Sequence, residues 1–341
     1  MRERDLRLLL SSFVFGITLI LSCESANAQE PAPTTPVAAQ ESTAPSEAPA
    51  ELPPPPPRPA PYSLPFQLRP VAASTALRSD SSFASYENAR AQPGFAVVSS
   101  LAGSLRIPGT GDKPGTGLAP LLKLTVVNDS PPGTATGGFA FVNPLVGASY
   151  ALSLGSGWRA SGSLGVTIPV GMGGGNTPDK GALDARTVGP IARADMDNSL
   201  FAVNDLAIIP GIDLAYVAHG FTAQIEATLF QLERVRGAAA QLEASKTNLT
   251  AGFHAGYFFI PNLSFGAEVR YQRWLNAPIA VDNDKPGTSV DMVSLGFGPR
   301  LHLQVGSVWL RPGVAFTRGF DHPMTSPGNY NVVQLDVPVV F

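Results

Sequence analysis

Apolar side chains occupy alternate positions through most of the last eleven residues of the chain. Residues 331–341 read N-V-V-Q-L-D-V-P-V-V-F. One parity carries Val333, Leu335, Val337 and Val339, and the other carries Gln334 and Asp336. A period of two places successive side chains on opposite faces of an extended strand. The pattern therefore predicts a strand with one apolar face and one polar face.

The same alternation recurs along most of the chain after Tyr62. In 263–275, for example, Phe265 and Val269 alternate with Glu268 and Arg270. Twelve strands are predicted, near 63–77, 95–107, 116–128, 139–154, 158–170, 204–218, 221–232, 247–260, 263–275, 290–304, 308–318 and 331–341. The first of these has the weakest pattern.

Short and long links alternate between these strands. The short links are 155–157, 219–220, 261–262 and 305–307. The long links are 78–94, 129–138, 171–203, 233–246, 276–289 and 319–330. If the strands run up and down, all the short links fall at one end, which is the asymmetry of outer-membrane barrels.

A terminal strand that ends on Phe341, with Val339, Val337 and Leu335 at alternate positions before it, resembles the C-terminal strand of Gram-negative outer-membrane β-barrels of the porin or transporter type. The resemblance implies a closed antiparallel transmembrane barrel over 62–341, with the short links in the periplasm. It also implies that these four residues are an assembly signal, with the barrel-assembly machinery and outer-membrane lipid as partners. In lipid a sheet satisfies every backbone amide only by closing on itself.

The N-terminus has the pattern of an export signal. Three arginines within the first seven residues precede an apolar run over 8–21, and Ala26-Asn27-Ala28 follows. We interpret 1–28 as a signal peptide. Cys23 leaves a second alternative, lipidation at that residue. Residues 29–61 form a Pro/Ala-rich linker with 12 prolines over 31–61, which predicts disorder or polyproline II rather than a core.

Composition narrows the function classes. Charged residues make up 14% of the chain, against about 25% in average soluble proteins. The single cysteine excludes a disulfide framework. No basic patch indicates nucleic acid. We expect no cofactor, no metal and no enzymatic activity.

In a barrel, the polar parity faces the lumen. The candidate lumen-lining residues are Arg106, Lys123, Arg159, Asp213, Glu226, Glu268, Arg270, Arg300, His302, Arg311 and Asp336. Two interpretations remain open. The charges either fill the barrel with ion pairs, or they line a narrow wet pore in which Arg270, Arg300 and Arg311 form a cationic strip. Twelve strands do not decide between these interpretations.

The long links offer further alternatives. Residues 171–203 are either a loop that constricts the mouth or an ordinary surface loop. Asp282-Asn283-Asp284 could contribute to a calcium site or form a solvated turn. Asp321-His322 could serve a barrel protease, although such pairs are common.

The sequence thus predicts an exported outer-membrane barrel, a passive channel for small polar or anionic solutes. The alternative is a non-conducting structural or adhesion barrel whose loops bind a partner.

Overall fold

Twelve strands form the wall of a closed antiparallel barrel. The computed structural model describes residues 62–87, 92–133, 136–194, 196–237, 244–279, 281, 290–320 and 330–341. In chain order the wall strands are β1 (Ala76–Glu87), β2 (Pro93–Ser104), β3 (Gly117–Ser130), β5 (Leu145–Gly155), β6 (Trp158–Thr167), β7 (Asp205–Ala218), β8 (Phe221–Arg234), β9 (Ser245–Ile260), β10 (Leu263–Asn276), β11 (Asp291–Leu301), β14 (Gly313–Gly319) and β15 (Tyr330–Val340). Three short strands accompany them: β4 (Gly138–Phe141), β12 (Leu303–Val305) and β13 (Val308–Leu310).

The first and last strands close the wall. β1 pairs with β15 in register from Ala76 opposite Val340 to Tyr86 opposite Tyr330. β1 also pairs with β2 along its whole length. The barrel is therefore complete without any contribution from the residues that precede Ala76.

The predicted first strand is wrong. Residues 62–75 are not a strand of the wall, and β1 occupies most of the predicted link 78–94. Leu64, Phe66 and Leu68 alternate as a strand would, but they are buried inside the barrel and not in its wall.

Side chains on the wall divide by parity as the sequence predicts. The outward face exposes apolar side chains such as Leu164, Ile212 and Ile225, with 55%, 68% and 53% of their surfaces accessible. The inward face of the barrel is polar: Gln272, Gln334 and Asp336 are fully buried. An apolar exterior around a polar interior is the arrangement of transmembrane barrels.

The tight links share one end of the barrel with the C-terminus, which we call the turn end; the opposite end is the loop end. The links after β5, β7 and β9 contain two residues each. At His219 and Gly220 both φ angles are positive, 51° and 79°, as a two-residue type I′ hairpin requires. The predicted link 305–307 also turns tightly, as the tip of the β12–β13 hairpin.

Three predicted strands are interrupted. Residues 139–154, 290–304 and 308–318 each contribute to two separate strands. Pro144 and Pro312 lie in two of the breaks, and a residue without an N–H cannot continue a ladder. The number of wall strands is unchanged.

The longest link, between β6 and β7, carries two helices at the loop end: α1 (Lys180–Ala192) and α2 (Asn198–Phe201). The Asp179 side chain caps α1 by accepting a 2.8 Å hydrogen bond from the Ala182 N–H. Ala182, Ala185 and Phe201 are buried in one apolar cluster with inward-facing residues of the wall. No helix within the described ranges is long and apolar enough to cross a bilayer.

Candidate functional site

Residues 62–75, which we call the lumen segment, lie inside the barrel at the turn end. The chain bends at 66–68 and again at 71–72. The two arms of the first bend are joined at the Tyr62 hydroxyl, which accepts from the Val71 N–H at 3.0 Å and donates to Gln224 Oε1 at 2.7 Å. Phe66 and Leu68 are each 3% exposed. The segment thus forms a compact loop across the lumen.

Charged wall residues hold the main chain of this segment at the bend. The Glu268 carboxylate accepts from the N–H groups of Phe66 and Gln67, the second at 3.1 Å. The guanidiniums of Arg78 and Arg300 donate to carbonyls of residues 64–66, with 3.1 Å from Arg78 to the Pro65 oxygen. Gln334 donates to the Phe66 carbonyl at 2.9 Å. Groups from β1, β10, β11 and β15 therefore satisfy the buried amides and carbonyls that no ladder serves.

Asp336 joins the two guanidiniums. Its Oδ1 lies 2.6 Å from Arg78 Nε and its Oδ2 lies 2.5 Å from Arg300 Nη2. With Arg270, which contacts Gln67, three guanidiniums face the two carboxylates of Asp336 and Glu268, so this side of the lumen has one excess positive charge. The Arg300 guanidinium also lies over the Phe66 ring, 4.5 Å from its centroid.

The other side of the lumen is acidic and holds Arg69. Asp213 on β7 stands directly opposite Glu226 on β8. Arg69 reaches both carboxylates, at 3.1 Å and 3.4 Å, and donates to the Thr228 hydroxyl at 2.6 Å. Its own N–H donates to Glu226 at 2.6 Å. Since β7 and β8 are five and six places along the wall from β1, the segment connects nearly opposite sides of the barrel.

Glycines on the wall make room for the segment. A Cβ placed at Gly252 would lie 2.3 Å from a Leu68 methyl, and one at Gly256 would lie 2.2 Å from the Ser63 hydroxyl. A Cβ at Gly313 would lie 2.8 Å from the Phe66 ring. Such distances are below any normal carbon contact, so the inner surface fits this segment closely.

A second polar anchor lies at the loop end. Arg193, which follows α1, contacts Asp80 on β1 at 2.7 Å and Asp197 at 3.0 Å. Lys123 on β3 contacts Asp197 at 2.8 Å. Burial raises the pKa of Asp197, but the charges of Lys123 and Arg193 outweigh it and hold the pKa below its ordinary value. The long loop is thus fastened inside the mouth by ionised groups.

Other predicted residues occupy different places. Arg106 follows β2 and donates to the Thr116 carbonyl at 2.8 Å, so it fastens a turn-end link rather than the wall. Arg159 lies over the Tyr62 ring at 5.7 Å, and His302 contacts the Ser264 hydroxyl at 2.9 Å. Arg270 donates to Gln67 and to Thr317. Arg311 lies in the link before β14, over Trp309.

Sequence reasoning missed Arg78, Asp80 and Arg193. The first two fall in a predicted link because half of the outward residues of β1 are serine, which hides the alternation. The sequence still indicates β1 through its inward-facing positions, which carry the polar residues Arg78, Asp80 and Ser82. Nothing in the sequence pairs Arg193 with this strand.

Two predicted loop features, Asp282-Asn283-Asp284 and Asp321-His322, lie outside the described residues. Within the described residues, no group of three His, Cys, Asp or Glu side chains is placed to hold a metal ion. The Ser264–His302 pair is buried inside the barrel.

Comparison with solved structures agrees with this architecture. An outer-membrane channel from Pseudomonas putida F1 aligns over 81% of this chain and 98% of its own, with a TM-score of 0.52 and 12% identity. The fold is that of an outer-membrane β-barrel of the porin type. The NanC porin aligns over 77% of this chain and 98% of its own, with a TM-score of 0.47 and 10% identity. The translocator domain of the autotransporter NalP from Neisseria meningitidis covers 79% of this chain and 88% of its own, with a TM-score of 0.41 and 11% identity. No protein-family model matches the sequence, and no curated protein matches it.

Proposed function

We propose that the protein is a passive outer-membrane channel for small polar or anionic solutes, and that the lumen segment closes it. The observation that supports the proposal is that the wall closes without the lumen segment. β1 and β15 complete the barrel, whereas the segment is held by side-chain hydrogen bonds and ion pairs. A plug of this kind can leave without breaking a ladder.

The positive side of the lumen accounts for the expected preference for anions. With the segment displaced, Arg78, Arg270 and Arg300 lose the carbonyl and amide oxygens that they now contact. An anionic or acceptor-rich solute offers the same oxygens. Arg311, the third member of the strip proposed from the sequence, lies nearer the turn-end rim.

The turn end would face the periplasm and the outward apolar bands would face outer-membrane lipid. This orientation follows the usual placement of short turns in such barrels. The assembly role of Phe341, Val339, Val337 and Leu335 belongs to the same proposal.

Conductance across a planar bilayer tests the channel. We expect the full-length protein to conduct rarely and Gly252→Ala to conduct often, because its new methyl group takes the space of Leu68. Gly162→Ala is the matched control, since a Cβ there meets no atom within 4 Å. The channel proposal fails if Gly252→Ala stays silent although maleimide labelling shows that its segment has become accessible. The labelled position is Val71→Cys in a chain with Cys23→Ser, because Val71 is fully buried in the parent chain.

A non-conducting barrel is the second candidate. The filled interior favours it, because the segment occupies the turn end and the α1 loop packs into the loop end. In that case Gly252→Ala would lower stability without raising conductance.

A further inference from the structure

The lumen contacts the main chain of its segment more than its side chains. Glu268 accepts two successive N–H groups, and Glu226 accepts the N–H of Arg69 at 2.6 Å. Gln224 donates to the Arg69 carbonyl at 2.6 Å, and the Thr222 hydroxyl accepts from the Ser63 N–H at 3.0 Å. Pro65 falls between these donors and Pro70 follows the last of them; neither residue has an N–H to satisfy. Any peptide that follows the same path meets the same groups.

Selectivity for side chains is concentrated at Arg69. Asp213 and Glu226 are direct cross-strand neighbours that face the lumen, and like charges in that position repel. The Ser161 hydroxyl donates to Asp213 at 2.8 Å, which fixes the direction of this carboxylate. A guanidinium satisfies both carboxylates and the Thr228 hydroxyl at once because its donors are arranged as a planar fork.

The Phe66 ring, three residues before Arg69, also has a matched site on the wall. Arg300 covers one part of the ring, and Gly313 leaves the space on the wall that a Cβ would fill. Leu68 lies against Gly252 in the same way. The lumen therefore has matched places for an aromatic ring, a small apolar side chain and a guanidinium, joined by main-chain contacts.

We propose that the lumen is a peptide-binding site, and that with its own segment displaced it binds free peptides of the pattern aromatic-x-x-arginine. The ligand is a short peptide bent after the aromatic residue, and its arginine binds Asp213 and Glu226. The proposal rests on the proposed function in one respect, that the segment leaves its seat. It does not require that the open barrel conduct ions.

A labelled decapeptide with the sequence of residues 62–71 is the probe. The protein is the full chain with Arg69→Ala, in which the two carboxylates have lost their cation. The matched control peptide carries citrulline in place of the arginine, because citrulline has nearly the same shape and no charge. We expect saturable binding of the arginine peptide, roughly tenfold or more tighter than the citrulline peptide, as charge-assisted hydrogen bonds to a buried pair imply.

A second variant tests where the arginine binds. Glu226→Gln added to Arg69→Ala should reduce the preference for arginine over citrulline, whereas Arg273→Ala, on the outward face, should leave it unchanged. Displacement of the chain's own segment is followed separately by maleimide labelling of Leu68→Cys in a chain with Cys23→Ser.

Two results would overturn the proposal. One is equal binding of the two peptides to Arg69→Ala. The other is a Leu68→Cys side chain that stays unlabelled in Arg69→Ala, because a lumen that never releases its own segment cannot accept another peptide. Peptide binding without conductance would leave this proposal standing and remove the channel; conductance without peptide binding would do the reverse.

Discussion

Arg69 is the residue on which the seating of the lumen segment most depends. It carries the only charge that the segment itself brings to the described lumen, and it neutralises two carboxylates that face each other across β7 and β8. Without it, Asp213 and Glu226 repel each other or must draw in water and counterions.

Arg69→Ala should release the segment. We expect maleimide labelling of Leu68→Cys, in a chain with Cys23→Ser, to become about tenfold faster or more, since hydrogen bonds to charged groups contribute roughly 1.5–3 kcal/mol each. Arg69→Lys should give an intermediate rate, because one ammonium cannot span both carboxylates and Thr228. Arg273→Ala serves as the control, and equal rates in all of these chains would contradict the role of Arg69.

Asp197 sets the pH range of the loop-end anchor. Its pKa is held below the ordinary value, mainly by Lys123 and Arg193 working against burial. A carboxyl with a depressed pKa in the folded state adds stability above its unfolded pKa and loses it only as pH falls through the folded pKa. The contribution of Asp197 to the anchor should therefore be constant from pH 8 to pH 5 and be lost only in strong acid.

Spin-label mobility at Lys180→Cys, on α1, measures this, again with Cys23→Ser. We expect one mobility from pH 8 to pH 5 in the parent chain. Asp197→Asn should show higher mobility throughout that range, because it leaves Arg193 and Lys123 short of a carboxylate partner. A parent loop that loosened between pH 7 and pH 5 would show that another titrating group controls it.

At the scale of elements, α1 depends on close backbone contact with β4. A Cβ at Gly138 would lie 2.0 Å from the Gly181 carbonyl oxygen, which is main chain and cannot rotate away. Gly138→Ala should push the first turn of α1 off β4 and leave the wall intact. Limited proteolysis should then cut within 171–203 at least several-fold faster than in the parent, while Gly103→Ala, where a Cβ has room, should not change the rate. Unchanged cleavage in Gly138→Ala would mean that the helix is held by its other contacts alone.

Most of the wall was predictable from the sequence because lipid on one side and a polar lumen on the other impose a period of two. The period of two wrongly predicts a strand within 62–75 and misses the strand at 76–87. Leu64, Phe66 and Leu68 alternate in the sequence without belonging to a strand, because all three are buried inside the barrel and not in its wall. The sequence pattern does not indicate β1 because its outward face carries serines at 79, 81 and 85 in place of apolar side chains.

The charged residues of the lumen were largely predictable, but their partners were not. Parity places Glu268, Arg300 and Asp336 inside the barrel, and the structure has them there. Which atoms they contact depends on the path of a segment that forms no ladder, and no periodicity records such a path. Whether the lumen is filled or open therefore depends on the path of residues 62–75 and not on the wall.

At the scale of the whole molecule, the wall and its plug should be separable. In the described residues the backbone bonds that join the segment to the rest are few, such as the Ala73 N–H to the Gly115 carbonyl at 2.9 Å. The Phe341 N–H donates to the Thr75 carbonyl at 3.0 Å, so a deletion should stop before that residue. A chain that lacks residues 29–73 keeps every β1–β15 and β1–β2 pair.

We expect this shortened chain to refold in detergent into a closed barrel with the heat-modifiable mobility and far-ultraviolet circular dichroism of the parent. Water replaces the segment around Glu268, Glu226 and Arg300, and a polar lumen of twelve strands has room to solvate charges that a dry core does not. Stability should fall, because the apolar contacts of Phe66 and Leu68 and the ion pairs of Arg69 are lost. If the shortened chain gives no heat-modifiable species in any refolding condition that serves the parent, the segment is part of the folding core and the barrel does not close without it.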